Sequence, residues 1–271
     1  MNFKDILVHI DNTQQCATRL DLAIRLARKH EACLTGLYVV THPHYQPQSG
    51  ARSLMALEAE QMFRLNTDGA GVDTEYLAVD WGVVGVNVGE VLNCYAHARD
   101  LIIIGQTDPG SREDGVPEDL PERVVVGSGR PVLIVPYAGT FGTIGEQVIV
   151  GWKAGRASAR AVNDAMPFLL NAEQVCVLTI QTVNDHQPAD KRTDCDICTH
   201  LKRYNINVKE ENLMTADIPI ADIMMNYAWE NGCDLIVVGA AHVHTSRGST
   251  HPGPVVKDLL DKMTLPVLMS Y

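Results

Sequence analysis

Asp100-Leu101-Ile102-Ile103-Ile104-Gly105 returns later in the chain as Asp234-Leu235-Ile236-Val237-Val238-Gly239. The offset is 234 − 100 = 134 residues. Each copy is a short, continuously apolar, β-branched run closed by glycine, the form of a strand buried on both faces of a parallel sheet. Neighbouring segments repeat in the same order. Arg130-Pro131-Val132-Leu133-Ile134-Val135 returns as Leu265-Pro266-Val267-Leu268-Met269, and Lys4-Asp5-Ile6-Leu7-Val8 as Glu146-Gln147-Val148-Ile149-Val150. Tyr95-Ala96 and Tyr227-Ala228 precede the two quoted strands. Four matches in one order mark a duplicated unit, which decides the architecture before any single motif is weighed.

Within each unit, strand-like runs alternate with stretches of helical period, the pattern of a doubly wound α/β sheet with crossover helices. The first half predicts strands near 5–10, 32–40, 72–79, 101–105 and 131–136, with helices near 14–30, 51–68, 87–98 and 118–128. The second predicts strands near 146–151, 174–181, 206–213, 234–239 and 265–270, with helices near 156–171, 190–204, 218–231 and 253–263. In the helix at 14–30, Ala17, Leu20, Ala23, Ile24 and Ala27 form one apolar stripe, which leaves Arg19, Arg25 and Lys29 pointing outward. Residues 136–145 join two domains, placed at 1–138 and 144–271.

Composition narrows the function. The chain has 271 residues, 46% of them hydrophobic, and 33 acidic against 22 basic residues give a net charge of −11, which disfavours diffuse attraction to nucleic acid or anionic membranes. No apolar run is long enough for a membrane span, and the start of the chain lacks a signal-peptide core, so a cytoplasmic protein is expected. Seven cysteines, mostly in apolar segments such as Ala32-Cys33-Leu34, fit a reducing compartment.

In an open doubly wound sheet a ligand sits beyond the carboxyl ends of the strands where the winding reverses, between the first and fourth strands of each unit. That singles out Asp11 and Gly105 in one half, Lys153 and Gly239 in the other. At these positions the chain resembles the universal stress protein family, in a tandem form. The likeness rests on Ile6-Leu7-Val8-His9-Ile10-Asp11, Leu37-Tyr38-Val39-Val40, the repeated Asp-Leu-Ile strand and the closing Arg130–Val135 segment. It implies two Rossmann-like, adenine nucleotide alpha hydrolase-like sheets of five parallel strands in the order 3-2-1-4-5. It also implies an adenine nucleotide such as ATP held by an acid after the first strand and by a loop of pattern G-x2-G-x9-G-[ST] after the fourth. Carried onto this chain, the ligand-contacting positions are Asp11, Val40, Gly105, Lys153, Gly239, His242, Gly253 and Val255.

Both loops depart from that pattern. In the first half the second and third glycine positions fall on Asp108 and Glu118, with Glu113, Asp114 and Asp119 close by, and these carboxylates would repel phosphate. In the second half the adenine-facing acid is replaced by Lys153, and the loop from Ala240 to Gly253 is basic and rich in hydroxyls, with Arg156 nearby. A small anion at the helix beginning near 253 suits this half better than ATP. The resemblance further implies that the closing strands 131–136 and 265–270 pair, as an intramolecular copy of a homodimer.

Other groupings are weaker. His242, His244 and His251 suggest a metal but lack a fourth ligand, so no metal site is assigned. Cys195-Asp196-Ile197-Cys198 reads as the middle of an amphipathic helix rather than a redox motif. Gly82 to Gly89 lacks dinucleotide spacing and leads to a helix capped near Asn87. No nucleophile elbow or acid–base carboxylate pair is present, so no catalytic residue is assigned; Asp11 is either the one candidate base or a cap before Thr13. The leading expectation is a non-enzymatic stress-response protein with a small anionic ligand or protein partners. The alternatives are a metal-dependent or nucleotide hydrolase on the same scaffold and a ligand-free interaction module.

Overall fold

The computed structural model describes residues 1–41, 54–81, 87–108, 110, 117–182, 196–240, 242–244 and 250–271. They form two compact units, residues 2–140 and residues 141–271 together with Met1. In the first unit the order is β1 (Asp5–Ile10), α1 (Cys16–His30), β2 (Cys33–Val39), α2 (Leu54–Thr67), β3 (Thr74–Val79), α3 (Val88–Ala96), β4 (Leu101–Gly105), α4 (Leu120–Gly127) and β5 (Val132–Val135). All its strand pairings are parallel and run β3-β2-β1-β4-β5 across the sheet. Ile6, Leu7, Val8 and Leu101 to Ile104 are fully buried, because α1 and its fellow crossover helices cover the sheet. Burying each such side chain stabilises the fold by about 1.5–3 kcal/mol.

The second unit repeats the plan with β6 (Gln147–Gly151), α5 (Arg156–Leu169), β7 (Gln174–Thr182), α6 (Ile197–Lys202), β8 (Val208–Thr215), α7 (Ile220–Glu230), β9 (Leu235–Gly239), α8 (Pro254–Lys262) and β12 (Val267–Ser270). Its parallel order is β8-β7-β6-β9-β12, the same 3-2-1-4-5 arrangement counted within the unit. Between β9 and α8 lies a short antiparallel hairpin, β10 (His242–His244) and β11 (Thr250–Pro252), where the sequence predicts an irregular loop.

The aspartate that opens each repeated strand has a structural reason to recur. Asp100 Oδ2 accepts the backbone N–H groups of Lys4 and Asp5 at 2.7 and 3.1 Å. Asp234 Oδ1 accepts those of Gly145, Glu146 and Gln147 at 3.0, 3.1 and 3.1 Å. Each carboxylate therefore ties the fourth strand of its unit to the amino end of the first, satisfying donors the sheet leaves open.

Two local expectations are corrected. Of the helix expected over 190–204, residues 190–195 lie outside the described residues, and α6 begins at Ile197, where Asp196 is the N-cap and accepts the Thr199 N–H at 3.1 Å. Cys198 thus lies in the first turn of α6 rather than mid-helix, and Cys195 falls outside the described residues. Arg19, expected to point outward, is 2% exposed, whereas Lys29 lies on the outer face as expected. The cap at Asn87 is as predicted: its Oδ1 accepts the Gly89 N–H at 3.0 Å.

Candidate functional site

At the carboxyl end of β1 the chain turns through Asp11 into α1. Asp11 Oδ1 accepts the Thr13 backbone N–H at 3.0 Å and its hydroxyl at 2.5 Å, a local turn that fixes the carboxylate. The other oxygen, Oδ2, meets Arg19 Nη2 at 2.6 Å, and Arg19 Nε donates to the carbonyl of His9 at 2.9 Å. The opposite edge of the guanidinium lies over Gly105 at the end of β4, where any Cβ would collide with Nη1. Arg19 therefore fills the gap between the ends of the first and fourth strands, the place where a ligand is expected.

The electrostatics of this cluster follow from its burial. Removal from water is the largest single influence on Asp11 and raises its pKa, but the Arg19 guanidinium, His9 and the two Thr13 hydrogen bonds together outweigh it and hold the carboxyl at about 2. Burial pushes the His9 imidazole down to about 4, against the smaller pull of Asp11, so it is neutral near pH 7. Its Nδ1 is 3.7 Å from Asp11 Oδ2 and has no hydrogen-bond partner among the described residues. The Cys16 sulfur accepts the Asp11 N–H at 3.4 Å, and burial raises its pKa, so it remains a thiol.

The second half answers this site differently. At the shared offset of 142 residues, Lys153 stands for Asp11 (153 − 11) and Ala161 for Arg19 (161 − 19). Ala161 is buried against the sheet and carries no charge. Lys153 and Arg156 are exposed, and neither makes an ion pair among the described residues. The first turn of α5 backs directly onto Gly239, where a Cβ would overlap the backbone of Ala157 and Ser158. This close approach requires glycine and sets the α5 amino terminus at the end of β9. The N-cap of α5, Gly155, provides no side-chain cap, so the first-turn N–H groups of the helix that opens with Arg156 are left without a side-chain acceptor.

Of the remaining positions inferred from sequence, Val40 lies just past β2 and donates its N–H to the Val79 carbonyl at 2.8 Å. Gly253 is the N-cap of α8, also without a side-chain cap, and Val255 lies in that helix's first turn. His242 lies in β10, and the hairpin register sets His251 opposite Val243 and Thr250 opposite His244. Among the described residues no hydrogen bond joins Lys153 to Gly239, Gly253 or Val255. No group of three or more His, Cys, Asp or Glu among them could hold a metal.

The first-half loop keeps its acids. Asp108 Oδ1 accepts the Gly110 N–H at 2.8 Å, and Asp119, at the start of α4, pairs with Arg123 at 2.5 Å. Glu113 and Asp114 lie outside the described residues. Carboxylates thus occupy the α4 amino terminus where phosphate would gather.

A family model described as the universal stress protein family matches residues 2–136, nearly the whole first unit. The second unit repeats its strand order and its Asp-Leu-Ile-Val-Val-Gly strand. The chain belongs to the universal stress protein family. Its architecture is similar to that of a universal stress protein from Archaeoglobus fulgidus, at 14% identity and TM-score 0.73, over 98% of this chain and 97% of that one. It is also similar to a functionally unknown protein from Pseudomonas aeruginosa, at 16% identity and TM-score 0.62, over 99% and 92% of the two chains. At such identities the likeness is one of fold. No curated protein matches the chain.

This universal stress protein thus has a first crevice filled from within, a feature the sequence reading missed. A signal was available: Arg19 follows Cys16 by three residues and precedes Ala23 by four, so it lies on the buried stripe of α1. Its counterpart in α5 is an alanine. The redox reading of Cys198 gains nothing from the structure, because burial raises that thiol to about 11.

Proposed function

We propose that this universal stress protein binds one small anionic ligand per chain, a phosphate-bearing molecule, at the carboxyl edge of its second unit, and that it acts through this binding in the cytoplasm rather than by catalysis. The observation that carries the reading is the contrast at the end of the first strand: Asp11 is already neutralised by a buried guanidinium, whereas Lys153 is exposed and makes no ion pair among the described residues. Arg156 and the uncapped first turn of α5 add donors of the same sign. A cytoplasmic setting is supported by the free, buried thiols of Cys16, Cys176 and Cys198, and no helix among the described residues is long and apolar enough to cross a membrane.

Thermal unfolding with inorganic phosphate, AMP, ADP and ATP tests this, since a ligand that binds the native state at a hundred times its Kd stabilises it by about 2.7 kcal/mol. The expected result is a rise in unfolding temperature with at least one of these anions, abolished in Lys153→Glu/Arg156→Glu and kept in Asp11→Asn. Absence of any shift would favour the ligand-free interaction module instead. Turnover of ATP, or activity dependent on an added metal, would favour the hydrolase.

A further inference from the structure

We propose that the first-unit crevice is a guanidinium-selective site that the chain fills with its own Arg19. The proposal concerns the first unit and stands whether or not the second unit takes a ligand. Three features of the cluster fit a guanidinium rather than a generic charge. The carboxylate of Asp11 and the carbonyl of His9 accept from two different nitrogens, at 2.6 and 2.9 Å, which matches the fixed fork of a guanidinium. The third nitrogen occupies the space beside Gly105 that a Cβ there would take, so a side chain at 105 would displace it. The acceptors are also preset, because Thr13 clamps the Asp11 carboxylate through its N–H and hydroxyl and the His9 carbonyl belongs to β1.

Burial makes the site selective. Arg19, His9 and Asp11 are 2%, 3% and 8% exposed, so an ionised carboxylate is held away from water and requires a cation. Neutral His9 cannot serve as that cation. Burial disfavours the charged guanidinium, and Asp11 is the main group that offsets this, with a smaller part from Cys16, which is itself 1% exposed. A phosphate placed here would meet Asp11 directly, which opposes anion entry even in the absence of Arg19.

Arg19→Ala empties the seat while leaving its acceptors. Its unfolding temperature should fall by several degrees and recover by a few degrees in ~10 mM methylguanidinium, a concentration far too low to denature. The wild-type chain, whose seat is filled, and Arg19→Ala/Asp11→Asn, which lacks the carboxylate, should show no rise. Methylammonium, with the charge but no fork, should restore less, and AMP nothing. Equal recovery with methylammonium, a larger one with AMP, or none at all overturns the proposal. If Arg19→Ala is unfolded when purified, the same comparison reads recovery of helical circular dichroism. Gly105→Ala provides an independent arm: it keeps Arg19 but takes its space, so the Asp11 carboxyl carbon should titrate at higher pH than in the wild type. An unchanged Asp11 titration there means that Arg19 does not depend on this seat, and the assignment fails.

Discussion

Asp11 and His9 lie 3.7 Å apart in the same buried cluster, and their opposite relations to charge make the first unit acid-sensitive in two steps. His9 has a folded pKa near 4 against 6.5 when unfolded, so its contribution is complete above pH 6.5 and is lost as pH falls towards 4. The loss reaches about 3 kcal/mol. Asp11, held at about 2 against 3.8, contributes stability that is present above pH 3.8 and lost as pH falls through 2. Chemical denaturation at pH 7.5, 6, 5 and 4 should therefore show His9→Gln gaining on the parent as the pH drops. His30, also buried and lowered to about 4, remains in both chains, so the difference between them reports His9. A difference that does not change with pH would mean that His9 is already charged or solvated. None of this was legible in the sequence, where His9 reads only as part of an apolar strand and Asp11 as a ligand contact, a candidate base or a cap before Thr13.

At the scale of elements, the strands and their order were legible, and the reasons are local. Val, Ile and Leu runs bounded by glycine or proline specify β4, β5, β9 and β12, and the alternation with helical period specifies the crossovers. The aspartates that open the repeated strands were read as part of the pattern, but their work appears only when β1 and β6 are placed beside them. Asp234→Ala should cost about 1–3 kcal/mol, because three backbone donors lose their acceptor at a half-buried position. Asp100→Ala, with two donors exposed or partly buried, should cost less in the same denaturant titration. The hairpin β10–β11 and the late start of α6 were not legible. A three-residue strand has too few residues to show a period, and the Asp196 cap competes with an apolar stripe that sequence alone extends upstream.

At the scale of the molecule, duplication has left two units of one strand order with opposite chemistry at corresponding positions. The first closes its crevice with an internal ion pair, and the second presents exposed cations beside an uncapped helix. Isothermal titration with the best anion from the thermal screen should accordingly give one site per chain, and a stoichiometry of two would contradict this division. The sequence by itself determined the duplication, the kind and order of the parallel strands and crossover helices, the family, and the replacement of Asp11 by Lys153, because residue type and spacing along the chain carry each of these. Only the tertiary structure decided what occupies the first crevice. Arg19 is eight residues from Asp11 but 86 from Gly105 (105 − 19), and its seat exists only when α1, β1 and β4 are packed together and closed to water. Whether a guanidinium is a surface charge or a resident cation is set by that distance and that burial.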